Sequence, residues 1–226
     1  MQTPQFAACL FDMDGTLIDT EPYWLQAELD LVGEFSGQWS HEQGLALVGS
    51  GLHNSARAIQ AAGVPLTEDE IISRLSGDVR AKMLTKMPWR PGARELVAEL
   101  REAKVPCALV TMSFRDNANT LAKALTTEIG RVAFDVVVSG EDVSEPKPHP
   151  EAYLHAAALL GVDPHQCVAF EDSAFGAASA FSAGVFTIGV PLYIDIPSAY
   201  THTRWESLEN RGIADIHLAL EAGDRS

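Results

Sequence analysis

The sequence has little positive charge and no long hydrophobic run. Sixteen lysine and arginine residues stand against 31 acidic residues, so the formal net charge is −15. A surface of this sign repels nucleic acid, because binding a phosphate backbone needs clustered basic side chains. No apolar stretch approaches the roughly 18 residues of a membrane-spanning helix, and the N-terminal segment lacks the basic and apolar regions of a signal peptide. We therefore expect a cytoplasmic protein that binds neither membranes nor nucleic acid.

Cysteine is also scarce. Cys9, Cys107 and Cys167 are the only three, an odd number, and no two of them form a CxxC pair. This excludes a disulfide framework and a cysteine-based zinc site as the basis of stability. Each cysteine lies in an apolar run, so we expect three buried thiols in a reducing compartment.

Five short apolar runs without polar alternation predict strands that are buried on both faces. They are Ala7–Phe11, Pro106–Val110, Phe134–Val138, Gln166–Phe170 and Val185–Val190. Helical patterns lie between the later runs, at Ala93–Ala103, Pro150–Leu160 and Ser173–Ala183. Alternating strands and helices predict an α/β fold with a Rossmann-like, doubly wound parallel sheet. Ile213–His217 could add a short last strand after an irregular segment at 191–209.

One region breaks the alternation, because residues 18–87 carry helical patterns and no strand pattern. The candidate helices are Thr20–Val32, Glu42–Val48, Asn54–Ala62, Thr67–Ile72 and Leu75–Leu84. Asn54 and Thr67 are candidate N-caps, and Glu70 has the capping-box spacing from Thr67. We expect residues 18–87 to form a helical cap domain inserted into a catalytic core made of residues 1–17 and 88–226.

Chemically useful side chains follow the predicted strands, where parallel sheets bind their ligands. They are Asp12 and Asp14 after the first run, Thr111 and Met112 after the second, Lys147 after the third, and Glu171 and Asp172 after the fourth. Carboxylates held this close repel one another unless a cation lies between them. Hard oxygen ligands suit Mg²⁺, which also binds phosphate. The pattern therefore predicts a magnesium site at this edge of the sheet.

The same residues indicate phosphoryl transfer. Lys147 can neutralise Asp12 and contact a phosphoryl oxygen, while the Thr111 hydroxyl and the Met112 amide can donate to the same group. A screened carboxylate is a competent nucleophile, so attack by Asp12 would give an aspartyl-phosphate. Asp14 could protonate the leaving oxygen and then deprotonate the hydrolytic water, provided that its pKa is raised.

These residues resemble the motifs of the haloacid dehalogenase-like phosphatase superfamily. The matching segments, in order, are residues 11–22 (FDMDGTLIDTEP), 110–113 (VTMS), 147–150 (KPHP) and 170–173 (FEDS). The position of the helical insert resembles the helical-cap subgroup, which includes β-phosphoglucomutase and sugar-phosphate phosphatases. Matched motif by motif, the resemblance implies a nucleophilic Asp12, an acid/base Asp14 that also binds metal through its carbonyl, phosphate held by Thr111 and Lys147, and a metal site completed by Asp172 with Glu171 nearby.

Two departures from the family pattern bear on function. Met112 replaces the usual serine or asparagine, but only its backbone amide is needed for phosphate. In the cap, residues 49–54 lack the arginine that β-phosphoglucomutases present to a second phosphate, and Arg57 lies one helical turn further on. This favours hydrolysis over mutase activity. Glu21, His53 and Asn54 are the candidate substrate contacts of the cap.

The leading hypothesis is a monomeric, Mg²⁺-dependent phosphatase of a small phosphorylated metabolite such as a sugar phosphate. A phosphomutase that uses the same aspartyl-phosphate is the second hypothesis. The third is a regulatory module that binds Mg²⁺ and phosphate without turnover, which the long helical insert after the first strand disfavours.

Overall fold

Six parallel strands form the centre of the structure, a computed structural model that describes residues 6–47 and 51–223. The strands are β1 (Ala8–Phe11), β2 (Cys107–Val110), β3 (Val136–Val138), β4 (Cys167–Glu171), β5 (Phe186–Gly189) and β6 (Thr203–Arg204). Their order across the sheet is β3-β2-β1-β4-β5-β6. Four of the predicted apolar runs contain β1, β2, β3 and β5, and the run Gln166–Phe170 covers all of β4 except its last residue, Glu171. The doubly wound parallel sheet is therefore confirmed, and β1 lies at its middle.

Helices cover both faces of the sheet. The helices that follow the insert are α5 (Ala93–Glu102), α6 (Arg115–Ile129), α7 (Glu151–Leu160), α8 (Ala174–Ser182) and α9 (Ile213–Gly223). Leu10 packs with α7 and α8 on one face, whereas Phe11 belongs to the core shared with α5, α6 and α9 on the other. None of the described helices is both long and apolar enough to cross a membrane.

The three cysteines lie in the sheet as expected. Cys9 is in β1, Cys107 in β2 and Cys167 in β4, and all three are buried with free thiols. Cys9 is paired in register with Cys107 across two neighbouring strands. They serve as small apolar side chains in a closely packed interior.

The predicted strand at Ile213–His217 is wrong, because these residues begin α9. Ile216 and Ala219 are three residues apart and both buried, which is a helical spacing that a five-residue window does not reveal. The sixth strand is β6, which lies in the segment 191–209 that was expected to be irregular. Its two residues are too few to show a pattern.

The insert is helical, as predicted, and consists of α1 (Glu21–Glu34), α2 (His41–Leu45), α3 (Leu52–Ala61) and α4 (Glu68–Thr85). The two helices predicted between Thr67 and Leu84 are a single helix, α4. Its capping box is confirmed, since Thr67 Oγ1 accepts the Glu70 N–H and Glu70 accepts the Thr67 N–H. Asn54 is not an N-cap, because α3 already begins at Leu52 after Gly51, whose φ of 84° permits the turn. The predicted helix end at Val48 lies outside the described residues.

Two paired segments connect the insert to the sheet. The Asp19 N–H donates to the Pro88 carbonyl at 2.8 Å, and the Arg90 N–H donates to the Leu17 carbonyl at 2.9 Å. The chain therefore leaves and re-enters the core side by side, directly beyond β1. This places the helical cap over the carboxyl end of the sheet. The boundaries at residues 17/18 and 87/88 fall in this paired stretch and stay a prediction.

Candidate active site

A cavity of about 200 Å³ lies between the cap and the carboxyl ends of the strands. Four of the predicted loops meet there. Its walls include Asp12 and Asp14 from beyond β1, Thr111 and Met112 from beyond β2, Lys147 from the loop after β3, and Asp172 from beyond β4. The structure thus brings together the core residues that the sequence singled out, with Glu171 buried directly behind Lys147.

Lys147 is at the centre of the polar network. Its ammonium donates to Asp12 Oδ1 at 2.8 Å, to Glu171 Oε1 at 2.6 Å and to the Val110 carbonyl at 2.9 Å. Burial works to lower the pKa of Lys147, but the charges of Asp12 and Glu171 raise it well above its ordinary value. The group is therefore a permanent cation. Its three acceptors fix the ammonium beside one oxygen of Asp12.

Met112 supports the same loop through its side chain. Its sulfur accepts the backbone N–H of Lys147 at 3.4 Å. The Thr111 hydroxyl accepts the Ser113 N–H at 3.0 Å, which orients that hydroxyl at the end of β2. The departure from the family pattern at position 112 thus has a local structural use.

Asp14 is held by hydroxyl groups rather than by a cation. The Thr20 hydroxyl donates to Oδ1 at 2.5 Å and the Ser113 hydroxyl donates to Oδ2 at 2.6 Å. Burial raises the pKa of Asp14, Ser113 and Thr20 lower it, and the charge of Asp12 raises it further. The balance is a raised pKa, the direction that a proton donor needs near neutral pH.

Three buried carboxylates form a group that could hold a metal ion. Oxygen atoms of Asp12, Glu171 and Asp172 all lie within 4.8 Å of one another. Asp12 Oδ2 is buried and finds no hydrogen-bond donor among the described residues. Burial and the charges of Asp12 and Glu171 raise the pKa of Asp172 well above its ordinary range. The excess of negative charge and the hard oxygen donors of this group fit a divalent cation.

Glu171 has a second role within that group. Its Oε1 accepts both the Lys147 ammonium and the Tyr153 hydroxyl, each at 2.6 Å. Burial and Asp12 raise the pKa of Glu171 to about 7, against the lowering effect of Lys147. With one oxygen engaged in this way, Glu171 orients the lysine as well as adding negative charge.

Two glycines allow the acidic loops to approach closely. Gly15 has a φ of 82°, and a Cβ there would meet the Asp172 carboxylate. A Cβ at Gly176, in the first turn of α8, would meet the Glu171 carboxylate. Ser173 begins that helix by accepting the Gly176 N–H at 3.0 Å. The site therefore needs glycine at both positions.

Arg90 is a site residue that sequence reasoning missed. Its guanidinium is buried and donates to the carbonyls of Gly15 and Val190, the latter at 2.7 Å. It thus ties the loop after β1 to the end of β5. No motif surrounds Arg90, so only its tertiary contacts reveal it. Thr20 and Ser113 were also missed, although both lie inside the segments that carry the family resemblance.

The cap contributes acidic and apolar side chains to the cavity. Glu21 lines it, and burial, with Glu28 and Asp14 as further causes, raises the pKa of Glu21 to about 7. Trp24, Glu28 and Leu75 also line it and were not predicted. Of the described lining residues, only Lys147 carries a positive charge.

The other two predicted cap contacts lie on the outside of the cap. His53 Nδ1 is 3.0 Å from Glu68 Oε2, and the Asn54 side chain accepts a hydrogen bond from Arg57. Arg57 also donates to Glu68 at 3.1 Å. None of these three side chains lines the cavity, where α3 presents Leu52 and Ser55 instead. Substrate contact by His53 and Asn54 stays a prediction.

Comparison with known proteins shows which family the chain belongs to. The family model described as haloacid dehalogenase-like hydrolase matches residues 9–190. Hexitol phosphatase B of Escherichia coli is 35% identical over 195 residues, which cover 84% of this chain and 86% of that protein. Fructose-1-phosphate phosphatase YqaB of Escherichia coli is 33% identical over 190 residues, which cover 83% of this chain and 98% of that protein.

Solved structures show the same architecture. CbbY from Rhodobacter sphaeroides in complex with phosphate has a TM-score of 0.83 at 29% identity, covering 94% of this chain and 99% of that one. A β-phosphoglucomutase from Clostridium difficile has a TM-score of 0.79 and covers 97% and 98%, but at 20% identity it shows only the fold. The motifs, the cap between β1 and β2 and these matches lead to one conclusion: the chain belongs to the haloacid dehalogenase-like hydrolase family.

Proposed function

We propose that this protein is a Mg²⁺-dependent phosphatase that hydrolyses a small sugar phosphate or sugar-alcohol phosphate through an aspartyl-phosphate on Asp12. One observation carries the proposal: the Lys147 ammonium lies 2.8 Å from one oxygen of Asp12, while the other oxygen has no hydrogen-bond donor among the described residues. The lysine thus holds and screens a carboxylate whose second oxygen is available for bonding. That is the arrangement expected of a carboxylate nucleophile.

In the first step, an Asp12 oxygen attacks phosphorus and the bond to the ester oxygen breaks. Lys147 and the Thr111 hydroxyl stabilise the charge on the phosphoryl oxygens. Asp14 enters this step in its protonated form, which its raised pKa favours, and gives its proton to the leaving alkoxide. The products are a free alcohol and a phosphorylated Asp12.

In the second step, water replaces Asp12 on phosphorus. Asp14 is now ionised and takes a proton from the attacking water. The bond between phosphorus and the Asp12 oxygen breaks, inorganic phosphate leaves, and Asp14 is protonated again for the next cycle. The same residue therefore serves as acid and then as base, and the hydroxyls of Thr20 and Ser113 hold it in place for both steps.

The metal ligands in this proposal are Asp12, Asp172 and the carbonyl of Asp14, with Glu171 behind them. The close grouping of carboxylate oxygens from Asp12, Glu171 and Asp172 and the raised pKa of Asp172 support a cation at this position. When bound, magnesium would screen the acidic group and draw a phosphoryl oxygen towards it. Glu171 acts mainly by orienting Lys147.

The cap favours hydrolysis over mutase activity. A phosphomutase has to hold a second phosphate, which calls for a cation on the cap side of the cavity. The described cap residues lining the cavity include Glu21 and Glu28 but no cation, and Arg57 is engaged by Glu68 away from it. Residues 48–50 carry no charged side chain in the sequence. Water is therefore the acceptor that this cavity supports.

The relatives support a sugar-like substrate. Two of them are phosphatases named for hexitol and for fructose 1-phosphate. A cavity of about 200 Å³ suits a molecule of this size and excludes a folded macromolecule. Glu21, with its predicted role in substrate contact, lines the cavity on the cap side.

The direct test is phosphate release from a panel of hexose, pentose and hexitol phosphates with Mg²⁺. We expect turnover with at least one ester, its loss in EDTA and its recovery on adding Mg²⁺. Interconversion of hexose phosphates with a bisphosphate primer, without phosphate release, would instead identify a mutase. Binding of Mg²⁺ and phosphate without turnover of any ester would favour the regulatory module.

A further inference from the structure

A second pair of carboxylates faces the cavity from the cap, opposite the catalytic aspartates. Glu21 and Glu28 are seven residues apart on α1, which places them on one face of the helix two turns apart. Both line the cavity. Glu28 is only 6% exposed, so its charge is held out of bulk water. The mechanism proposed above makes no use of it.

Only one oxygen of Glu28 is engaged. Oε2 accepts the indole N–H of Trp39 at 3.0 Å. A Cβ at Gly44 would lie 3.0 Å from the same oxygen, so helix α2 packs closely against this side of the carboxylate. Oε1 has no hydrogen-bond donor within residues 6–47 and 51–223. Because Glu28 itself lines the cavity, its carboxylate keeps one oxygen without a protein donor for a ligand bound there.

The surroundings of Glu28 leave its charge uncompensated. Burial raises the pKa of Glu28, and the Trp39 hydrogen bond lowers it only in part. The charge of Glu28 in turn raises the pKa of Glu21. Burying a carboxylate without enough donors is unfavourable. A ligand that brings donors into the cavity would remove this cost.

The side chains that line the cavity determine which ligand groups could donate a hydrogen bond to Glu28. A second phosphate or a carboxylate on the ligand would meet two acidic side chains and no cation among the described cap residues that line the cavity, so it is disfavoured. Hydroxyl groups can donate to Glu28 and Glu21 without adding charge. The apolar surfaces of Trp24, Leu52 and Leu75 beside them suit the C–H face of a sugar or sugar alcohol.

We propose that Glu28 is a substrate-specificity residue that accepts hydrogen bonds from hydroxyl groups at the end of the ligand remote from its phosphate. It selects polyhydroxylated esters and rejects esters with a second anion at that end. This inference rests on the proposed function for the position of the phosphate. It assigns a role to a residue that takes no part in breaking the ester bond.

The test compares Glu28→Gln with the matched control Asp30→Asn, which removes an exposed charge from the same helix. The probes are sorbitol 6-phosphate, hexyl phosphate, 6-phosphogluconate and 4-nitrophenyl phosphate. We expect Glu28→Gln to raise KM for sorbitol 6-phosphate about 10- to 100-fold, as for a lost hydrogen bond to a charged group. Turnover of hexyl and 4-nitrophenyl phosphate should stay as in the wild-type protein, and discrimination against 6-phosphogluconate should weaken.

Equal losses on all four esters would show a structural role and overturn the proposal, as would an unchanged KM for sorbitol 6-phosphate. A preference for glucosamine 6-phosphate over glucose 6-phosphate would also overturn the proposal, because the group that Glu28 selects would then be an amine. If the wild-type protein hydrolyses no ester, the proposed function fails, and calorimetric titration decides the inference alone. Sorbitol 6-phosphate should then bind the wild-type protein more tightly than Glu28→Gln, with equal binding of hexyl phosphate.

Discussion

At the scale of single residues, the site has more negative charge than its lysine can balance. Lys147 contacts Asp12 and Glu171, and the charge of Arg90 acts on Asp172 without cancelling the rise in its pKa. The half-buried Asp14 forms no ion pair with a described residue. The two remaining aspartates differ in their surroundings. Hydroxyl donors hold Asp14, whereas no described side chain donates to Asp172. Asp14 is therefore suited to carry a proton, and Asp172 is suited to bind a metal ion.

The first prediction concerns Asp14→Asn. The amide keeps an oxygen for the Thr20 or Ser113 hydroxyl but cannot transfer a proton. We expect kcat for a sugar phosphate to fall by about 10²- to 10⁴-fold with KM nearly unchanged. Steady-state phosphate release measures this. Asp19→Asn, which alters a hinge carboxylate bonded to Tyr193, is the control and should keep kcat. A variant at position 14 with near wild-type kcat would exclude Asp14 as the acid.

The reacting residues could be predicted because they follow strands in short, recognisable segments. Asp12, Asp14 and Asp172 each lie within three residues of a strand end, so the topology brings them together. Lys147 lies nine residues beyond β3, and its KPHP segment is what identified it. Arg90 could not be predicted, because its partners are carbonyl groups on distant loops. Tyr153 was missed for a similar reason: it reads as an ordinary apolar position of α7 until its hydroxyl is seen on Glu171.

At the scale of elements, the start of α8 is what positions the lysine. Glu171 ends β4, and its carboxylate packs against the first turn of α8 where Gly176 leaves room for it. The helix start, the strand end and the loop bearing Lys147 are therefore coupled through one side chain.

The second prediction compares Gly176→Ala with Gly77→Ala. A methyl group at position 176 would collide with the Glu171 carboxylate, displacing it from Lys147. We expect lower thermal stability and lower kcat. Position 77 lies inside α4 with no atom near the new methyl group, so alanine should stabilise the protein by about 0.5–1 kcal/mol and leave kcat unchanged. Thermal unfolding and phosphate release measure both variants. Equal behaviour of the two would contradict the packing described for Glu171.

Elements with strong local signals were predictable, whereas those fixed by distant contacts were not. The five apolar runs and the capping box at Thr67 indicated their structures directly. The strand β6 is only two residues long and forms because β5 offers it an edge. The helix α3 begins two residues before Asn54, and this small shift is enough to move His53 and Asn54 to the outer face of the cap.

At the scale of the whole molecule, the buried carboxyl groups link stability to pH. The pKa of Glu171 is raised to about 7, and those of Asp14 and Asp172 are also raised. Between the ordinary carboxyl pKa and these values, the folded state binds more protons than the unfolded state. Stability therefore falls as pH rises through that window. Burial lowers the pKa of His202, so this one residue makes stability rise with pH, opposite to the carboxyl groups.

The third prediction follows from that balance. In EDTA, we expect the unfolding temperature to fall between about pH 5 and pH 7, because the acidic group becomes ionised without compensation. Mg²⁺ should stabilise the protein more at pH 8 than at pH 5. At pH 8, a Mg²⁺ concentration a hundredfold above Kd should raise the free energy of unfolding by about 2.7 kcal/mol. Thermal unfolding across pH, with and without Mg²⁺, measures both effects. A Mg²⁺ effect that is independent of pH would argue against a carboxylate site.

The formation of an aspartyl-phosphate on Asp12 is tested most directly by trapping it. In Asp14→Asn, 4-nitrophenyl phosphate should still phosphorylate the enzyme, since its leaving group needs little protonation, while hydrolysis lacks its base. After acid quenching, mass spectrometry should find one phosphoryl group per chain, on Asp12, matching the burst of nitrophenol. A burst without a covalent phosphoryl group, or with one on another residue, would contradict the account.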